Sequence, residues 1–137
     1  MSAAAQPTTA VPAVSSGRGI LRPALVTDAV VSAANGVAYL AAAGPLSDLL
    51  GLSEPLLRGL GAFMLVYATV VALVARTPRR GTVLAIVVGN AVWAIDSLLV
   101  AALWNEPTTT GTVWIALQGL VVGGFAVTQF IGRRELR

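Results

Sequence analysis

The chain has 137 residues, of which 56% are apolar and only 11% are charged, and its mean hydropathy is +0.82. A soluble domain is about 45–50% apolar and about 25% charged, so this composition excludes an ordinary water-soluble fold and predicts a membrane protein. The absence of Cys, His and Lys excludes disulfides, Cys or His metal sites, histidine-activated nucleophiles and Schiff-base lysines.

The N-terminal segment, residues 1–22, is rich in Ala, Ser, Thr and Pro and has no hydrophobic period. Such a segment cannot bury enough apolar surface to offset its ordering entropy, so we expect a flexible cytoplasmic tail. The alternative is a signal peptide cleaved after the alanines at 41–43. Against it, the apolar run before that point is about 20 residues long and contains Asp28 and Asn35.

Four long apolar segments follow, and prolines mark their ends. An α-helix needs about 20 residues to cross a bilayer, and proline is tolerated in a first turn or a loop but not in a helix interior. The sequence therefore predicts an all-α polytopic membrane protein, a bundle of four transmembrane helices running up-down-up-down within residues 23–132. The predicted spans are 23–43, 55–75, 81–104 and 112–131, with a short turn between the first two and a basic C-terminus at 133–137. Ser53 and Thr77 are the expected N-caps of the second and third spans.

The distribution of arginine predicts the orientation of these helices. Eight of the nine arginines lie in the tail, in the 76–80 loop or at the C-terminus, whereas Arg58 alone lies in the other two loops. Because basic residues flank the cytoplasmic ends of membrane helices, both termini are expected in the cytoplasm. The pI of about 10.6 then reflects topology and anionic headgroups, so the expected partner is the lipid bilayer and not nucleic acid.

Polar residues inside the predicted spans are the candidate binding site, because a charged residue in the middle of a membrane costs at least about 2.5–3.5 kcal/mol and rarely faces lipid. The candidates are Asp28, Asn35, Asn90, Trp93, Asp96 and, at the outer end of the second span, Arg58. Trp93 also offers a cation–π surface for an organic cation. At 1.5 Å per residue, Asp96 lies about 12 Å from the outer end of its span, close to the depth of Asn35. We therefore expect Asp96 to face the bundle interior, hydrogen-bonded to Asn35 or approached by Arg58.

The fourth predicted span carries a face of small residues that favours close helix packing. Its members, which include one GxxxG motif, are Ala116, Gly119, Gly123 and Ala126. Gln118 and Gln129 lie on another side of the same helix, which predicts a second interface and therefore self-association or partner binding.

Three sequence runs resemble a group of small four-helix integral membrane proteins from high-GC bacteria. These runs are VTDAVVSAANGVAYLAAAGPLSDLLGL, LLRGLGAFMLVYA and GNAVWAIDSLL. The resemblance covers about residues 22–132 and implies a four-span fold in a bacterial-type plasma (inner) membrane, with no assigned activity. The length is also that of small multidrug-resistance transporters, but their first-span glutamate has only the off-centre Asp28 as a counterpart here.

The sequence contains no Gly-rich phosphate loop, GxSxG elbow or HExxH motif, so neither an enzyme nor a cofactor or metal is expected. The expected function is a small non-catalytic membrane component, either an accessory subunit or a self-assembling bundle in a homo-oligomer or a larger membrane complex. Its buried polar residues would then serve as hydrogen bonds between helices. The alternative is a minimal oligomeric transporter or channel for a proton, cation or small molecule that uses Asp96, Asn35 and Asp28.

Overall fold

The computed structural model describes residues 19–136, and this part of the chain contains five α-helices and no β-strand. The helices are α1 (Leu21–Ala41), α2 (Ala43–Leu50), α3 (Glu54–Arg76), α4 (Arg80–Leu103) and α5 (Thr109–Gly132), followed by a 3-10 turn (Arg133–Glu135). The prediction of an all-α fold is confirmed. The predicted tail lies outside the described residues up to residue 18, and so does Arg137.

Four of these helices, all except the short α2, are long and apolar enough to cross a membrane. Each of their ends lies within three residues of the predicted end. The eight-residue α2 occupies most of the segment predicted to form a short turn. It ends at Gly51, whose φ of +71° is the left-handed conformation that commonly ends a helix and that favours glycine.

The N-caps of α3 and α4 differ in how well the sequence predicts them. Ser53 caps α3 as predicted, because its hydroxyl accepts a hydrogen bond from a backbone N–H of the first turn at 3.3 Å. The predicted cap at Thr77 is wrong, since α4 begins at Arg80. The Thr82 hydroxyl fixes this later start by accepting a hydrogen bond from the backbone N–H of Arg79 at 3.3 Å.

The long helices form two close pairs, α1 with α3 and α4 with α5. In the first pair the backbones nearly touch, since a Cβ atom added to Gly61 would lie 2.8 Å from the carbonyl oxygen of Gly36. In the second pair a Cβ atom on Gly119 would lie 2.9 Å from the Cβ of Ser97. α1 also contacts α5 and so joins the pairs, whereas α3 and α4 touch only slightly although they are consecutive. An open groove between α3 and α4, here named the α3–α4 groove, results.

Arginine side chains gather at one end of the bundle, here named the arginine end. There the Arg22 guanidinium donates a hydrogen bond to the carbonyl oxygen of Arg76 at 3.4 Å. The Arg80 guanidinium donates to the carbonyl oxygen of Leu136 at 2.8 Å. At the opposite end, the N–H and hydroxyl of Thr108 donate to carbonyl oxygens in the last turn of α2 at 3.1 and 2.7 Å. These bonds hold the start of α5 against α2.

Two apolar clusters fill the two ends of the bundle. The arginine-end cluster consists of Leu21, Leu25, Ala29, Val71, Ala75, Val83, Ile86 and Val87. The opposite-end cluster consists of Tyr39, Ala43, Leu50, Leu52, Leu57, Met64 and Ile115. Large apolar side chains also cover the outside of the bundle, and Val66 and Leu103 are 65% and 74% exposed. So large an apolar outer surface favours a membrane protein, because soluble monomers rarely expose one.

Candidate functional site

A group of polar side chains lies between the two apolar clusters and includes a residue from every long helix. This group, here named the polar cluster, consists of Asp28, Ser32, Tyr67, Asn90 and Gln129. Asp28 is 1% exposed, Asn90 3% and Gln129 0%. Polar groups this deeply buried destabilise a fold unless they are hydrogen-bonded, so their partners decide what the cluster can do.

The Asp28 carboxylate is the centre of the polar cluster. Its Oδ2 accepts hydrogen bonds from Asn90 Nδ2 at 2.7 Å and from Gln129 Nε2 at 2.8 Å. Its Oδ1 lies 3.3 Å from the hydroxyl of Ser32, one helical turn further along α1. Both oxygens of the buried carboxylate therefore have partners, and those partners come from α1, α4 and α5.

The two amide side chains of the cluster interlock. Asn90 Nδ2 donates a second hydrogen bond, to Gln129 Oε1 at 2.9 Å, while Asn90 Oδ1 accepts one from the Tyr67 hydroxyl at 2.6 Å. An amide nitrogen has two donors, so both donors of Asn90 are in use. Asn90 thus links the carboxylate on α1 to the phenol on α3 and the amide on α5, and its loss would break three bonds at once.

Helical periodicity explains why these residues meet. On α4, residues spaced alternately three and four apart point inward, and Asn90 belongs to this buried stripe together with Val83, Val87, Ala94 and Ser97. On α5, Gln129 follows the buried Ala126 by three residues and therefore lies on the buried face of that helix. Tyr67 lies nine residues before the end of α3 and Asn90 lies ten residues after the start of α4, so the two reach similar heights.

No arginine between residues 19 and 136 forms an ion pair with Asp28. The donors on its carboxylate are neutral amides and a hydroxyl. The Ser32 hydroxyl can accept as well as donate a hydrogen bond, so Oδ1 can carry a proton without losing its partner. The described residues also hold no group of three acidic side chains suited to a metal ion. The chemistry open to this site is therefore hydrogen bonding, or the binding of one proton or one monovalent cation.

A cavity of about 80 Å³ adjoins the polar cluster on the side of the α3–α4 groove. Its polar lining comes from Ser32, Tyr67 and Asn90. The rest of its lining consists of Phe63, Met64, Gly89, Trp93 and Val122. A water molecule needs about 10–15 Å³ of such space, so the cavity has room for several. Along the bundle axis, by contrast, the two apolar clusters lie on either side of the cluster.

The structure contradicts the prediction that Asp96 faces the bundle interior. Asp96 lies on the outer surface of α4 with its side chain exposed, and it forms no ion pair with any of residues 19–136. The stripe of α4 that contains Asp96 also contains Gly89 and Trp93, and it borders the α3–α4 groove. The neighbouring stripe, which contains Asn90, is the one that packs inside, because α4 packs on α5 and hardly touches α3.

The structure separates the remaining predicted residues from one another. Asn35 is half-buried on α1 and takes no part in the polar cluster. Arg58 is exposed and pairs with Glu54 at 2.9 Å, so it does not approach Asp96. The ring of Trp93 stacks on Phe63, with 5.8 Å between ring centroids. Of the predicted candidates, Asp28 and Asn90 are joined by a hydrogen bond, whereas Trp93 lines one cavity with Asn90 and another with Asp96.

The small-residue face of α5 packs within the chain. Gly119 lies against Ser97, and a Cβ atom on Gly123 would lie 3.6 Å from the Cβ of Ala94 on α4. The premise that Gln129 points away from this face is wrong, since it lies only about 60° around the helix from Ala126. Both features are used inside one bundle, so they give no argument for an interface between copies.

Sequence reasoning missed Tyr67 entirely and assigned Gln129 to an external face. The one sequence signal for both is coarse: like Asp28 and Asn90, each lies in the half of its helix nearer the arginine end.

Comparisons with protein-family models, with curated proteins and with solved structures find no match.

Proposed function

We propose that this chain is a small, non-catalytic, multi-pass integral membrane protein that acts as an accessory component of a bacterial-type plasma membrane assembly. Its four long helices run up-down-up-down, with the arginine end and both termini in the cytoplasm. The apolar outer surface supports insertion, and the arginines gathered at one end support this orientation through the positive-inside rule.

One observation supports a structural role for the buried polar residues. The polar cluster satisfies its own hydrogen bonds, draws on all four long helices and lies between two apolar clusters. A conducting path along the bundle axis needs polar groups on both sides of the cluster, and in the core an apolar cluster lies on each side of it. The cluster therefore serves to fix the rotation and height of each helix relative to the others.

The experiment that tests this role is the substitution Asp28→Asn in protein reconstituted into liposomes. The asparagine Oδ1 can accept the bonds from Asn90 and Gln129, and its Nδ2 can donate to the Ser32 hydroxyl. A structural role predicts a change in unfolding free energy on the order of 1 kcal/mol or less. It also predicts that wild-type vesicles dissipate an imposed pH gradient no faster than empty vesicles do.

A second candidate function is proton or monovalent-cation binding by Asp28 as part of transport. The cavity beside the cluster favours it, because water in that cavity would contact Ser32, Tyr67 and Asn90. This function predicts that wild-type vesicles lose an imposed pH gradient and that Asp28→Asn abolishes the loss while leaving the fold intact. Asp48→Asn, at an exposed carboxylate on α2, is the matched control and should behave as wild type in either case.

A further inference from the structure

A second cavity, of about 230 Å³, lies in the part of the α3–α4 groove farther from the arginine end. It borders the smaller cavity at Trp93, which lines both. Here it is named the Asp96 cavity, and the lining side chains that matter are Tyr39, Trp93, Asp96, Ser97, Trp104 and Gln118. Leucines in and just before the first turns of α3 complete the wall together with Val100 and Ile115. The cavity exists because α3 and α4 hardly touch, so side chains of α1 and α5 form its floor.

The Asp96 cavity contains two hydrogen-bond acceptors that lack partners. Gln118 Oε1 is buried, and no donor among residues 19–136 reaches it. The Asp96 carboxylate is exposed at the rim, and the sole ion pair in the described part of the chain is formed elsewhere, by Arg58 and Glu54. A buried acceptor without a donor destabilises a fold, and a carboxylate on an apolar surface is also unfavourable. Whatever occupies the cavity should supply N–H donors and a positive charge.

The walls of the cavity suit an apolar or aromatic group attached to the positive charge of the occupant. Trp93 is held by its stack on Phe63, with 5° between the ring planes, and Trp104 lies 38% exposed at the end of α4. Indole faces attract organic cations through their quadrupole as well as covering apolar groups. Apart from the polar groups of Tyr39, Asp96, Ser97 and Gln118, the lining is aliphatic and aromatic, and so it suits the apolar part of an organic cation.

A second copy of this chain does not supply the missing cation. All nine basic residues are arginines near predicted span ends, whereas Asp96 lies seven residues inside the end of α4, about 10 Å. Among residues 19–136, Arg58 is the one arginine at that side of the bundle, and it pairs with Glu54. The volume also limits the occupant, because pockets for drug-sized ligands measure about 300–1,000 Å³ and this cavity is smaller.

We propose that the Asp96 cavity binds a small lipophilic ammonium compound that carries at least one N–H. The Asp96 carboxylate compensates the charge, Gln118 Oε1 accepts an N–H, and Trp93 and Trp104 cover the apolar body. Such an amine comes either from a free arylalkyl amine or from the headgroup of an aminophospholipid, and the two sources share the same recognition chemistry. This site is separate from the polar cluster, so the proposal stands apart from the function proposed above.

The test is equilibrium binding of 2-phenylethylammonium to the full-length protein in phosphatidylcholine nanodiscs, followed by tryptophan fluorescence. We expect saturable binding to wild type, at least tenfold weaker binding to Asp96→Asn, and no comparable binding of the neutral analogue 2-phenylethanol. Gln118→Leu should abolish the preference for an N–H-bearing cation over its N-trimethylated form. Asp48→Asn, which removes an exposed carboxylate remote from the cavity, should bind as wild type does.

A second variant keeps the test independent of any folding effect at Asp96. Trp104→Ala removes a half-exposed side chain at a helix end and should weaken binding without unfolding the bundle. Competition by added phosphatidylethanolamine would assign the site to a lipid amine, and lack of competition would assign it to a free amine. Absence of saturable binding, or equal affinity for Asp96→Asn and wild type, would overturn the proposal.

Discussion

Replacing Asn90 with leucine is the sharpest test of the polar cluster. Leucine has the same branched skeleton of four side-chain heavy atoms, although it is bulkier, and it removes the bonds to Asp28, Tyr67 and Gln129, which measure 2.7, 2.6 and 2.9 Å. Hydrogen bonds between membrane helices contribute about 0.6 kcal/mol each on average, and each buried partner left unsatisfied costs about 1–3 kcal/mol. We expect Asn90→Leu to lower the unfolding free energy by about 2–4 kcal/mol, as measured by denaturation in mixed micelles with circular dichroism detection.

Asn35→Leu is the matched control, because it makes the same substitution at a half-buried asparagine outside the cluster. It should change the unfolding free energy by less than about 1 kcal/mol. A double-mutant cycle between Asn90→Leu and Tyr67→Phe should give a coupling energy of about 0.5–1.5 kcal/mol for the bond that joins α4 to α3. Equal stabilities of Asn90→Leu and Asn35→Leu would refute the assignment of the cluster as the tie between helices.

Three further outcomes follow from the packing and the charges. Gly61→Ala should destabilise the bundle by about 1–3 kcal/mol in the same denaturation assay, whereas Gly59→Ala, which faces open space, should not. Thr108→Val should cost about 1–2 kcal/mol, because it removes the N-cap of α5 and a bond to α2. Single cysteines at Thr77 and Thr109 should react with a membrane-impermeant maleimide from opposite sides of the membrane, and labelling from one side would refute the proposed topology.

The fold was predictable because its main signals are local. The length of each apolar run and the position of the prolines set the four long helices to within three residues. The cap of α4 was not predictable from the sequence order alone. Thr77 and Thr82 can both cap a helix start near Pro78, and the choice between them depends on where the chain turns. α2 was missed as a helix because its apolar and small residues do not separate a helix from a turn over so short a segment.

The candidate site was less predictable, because the rotation of each helix is a tertiary property. Helical periodicity places Asp96 and Asn90 on two neighbouring stripes of α4. It could not decide which of them faces the interior, since both carry a polar residue and a small one. The choice depends on tertiary packing, because α4 packs against α5 and hardly touches α3. The close contact at Gly119 is part of that packing.

The order of the helices around the bundle has a mechanical consequence. α1 and α5 contact each other and so join the two pairs. α3 and α4 lie on the far sides of those pairs and border the α3–α4 groove. Close glycine contacts hold α1 against α3 and α4 against α5, whereas smaller contacts, including that of α1 with α5, and the short 77–79 loop join the two pairs. The hydrogen bond from the Tyr67 hydroxyl to Asn90 Oδ1 crosses the α3–α4 groove and joins the two pairs there. We expect loss of this hydrogen bond to loosen the α3–α4 groove, which both cavities share, and to leave the glycine contacts within each pair in place.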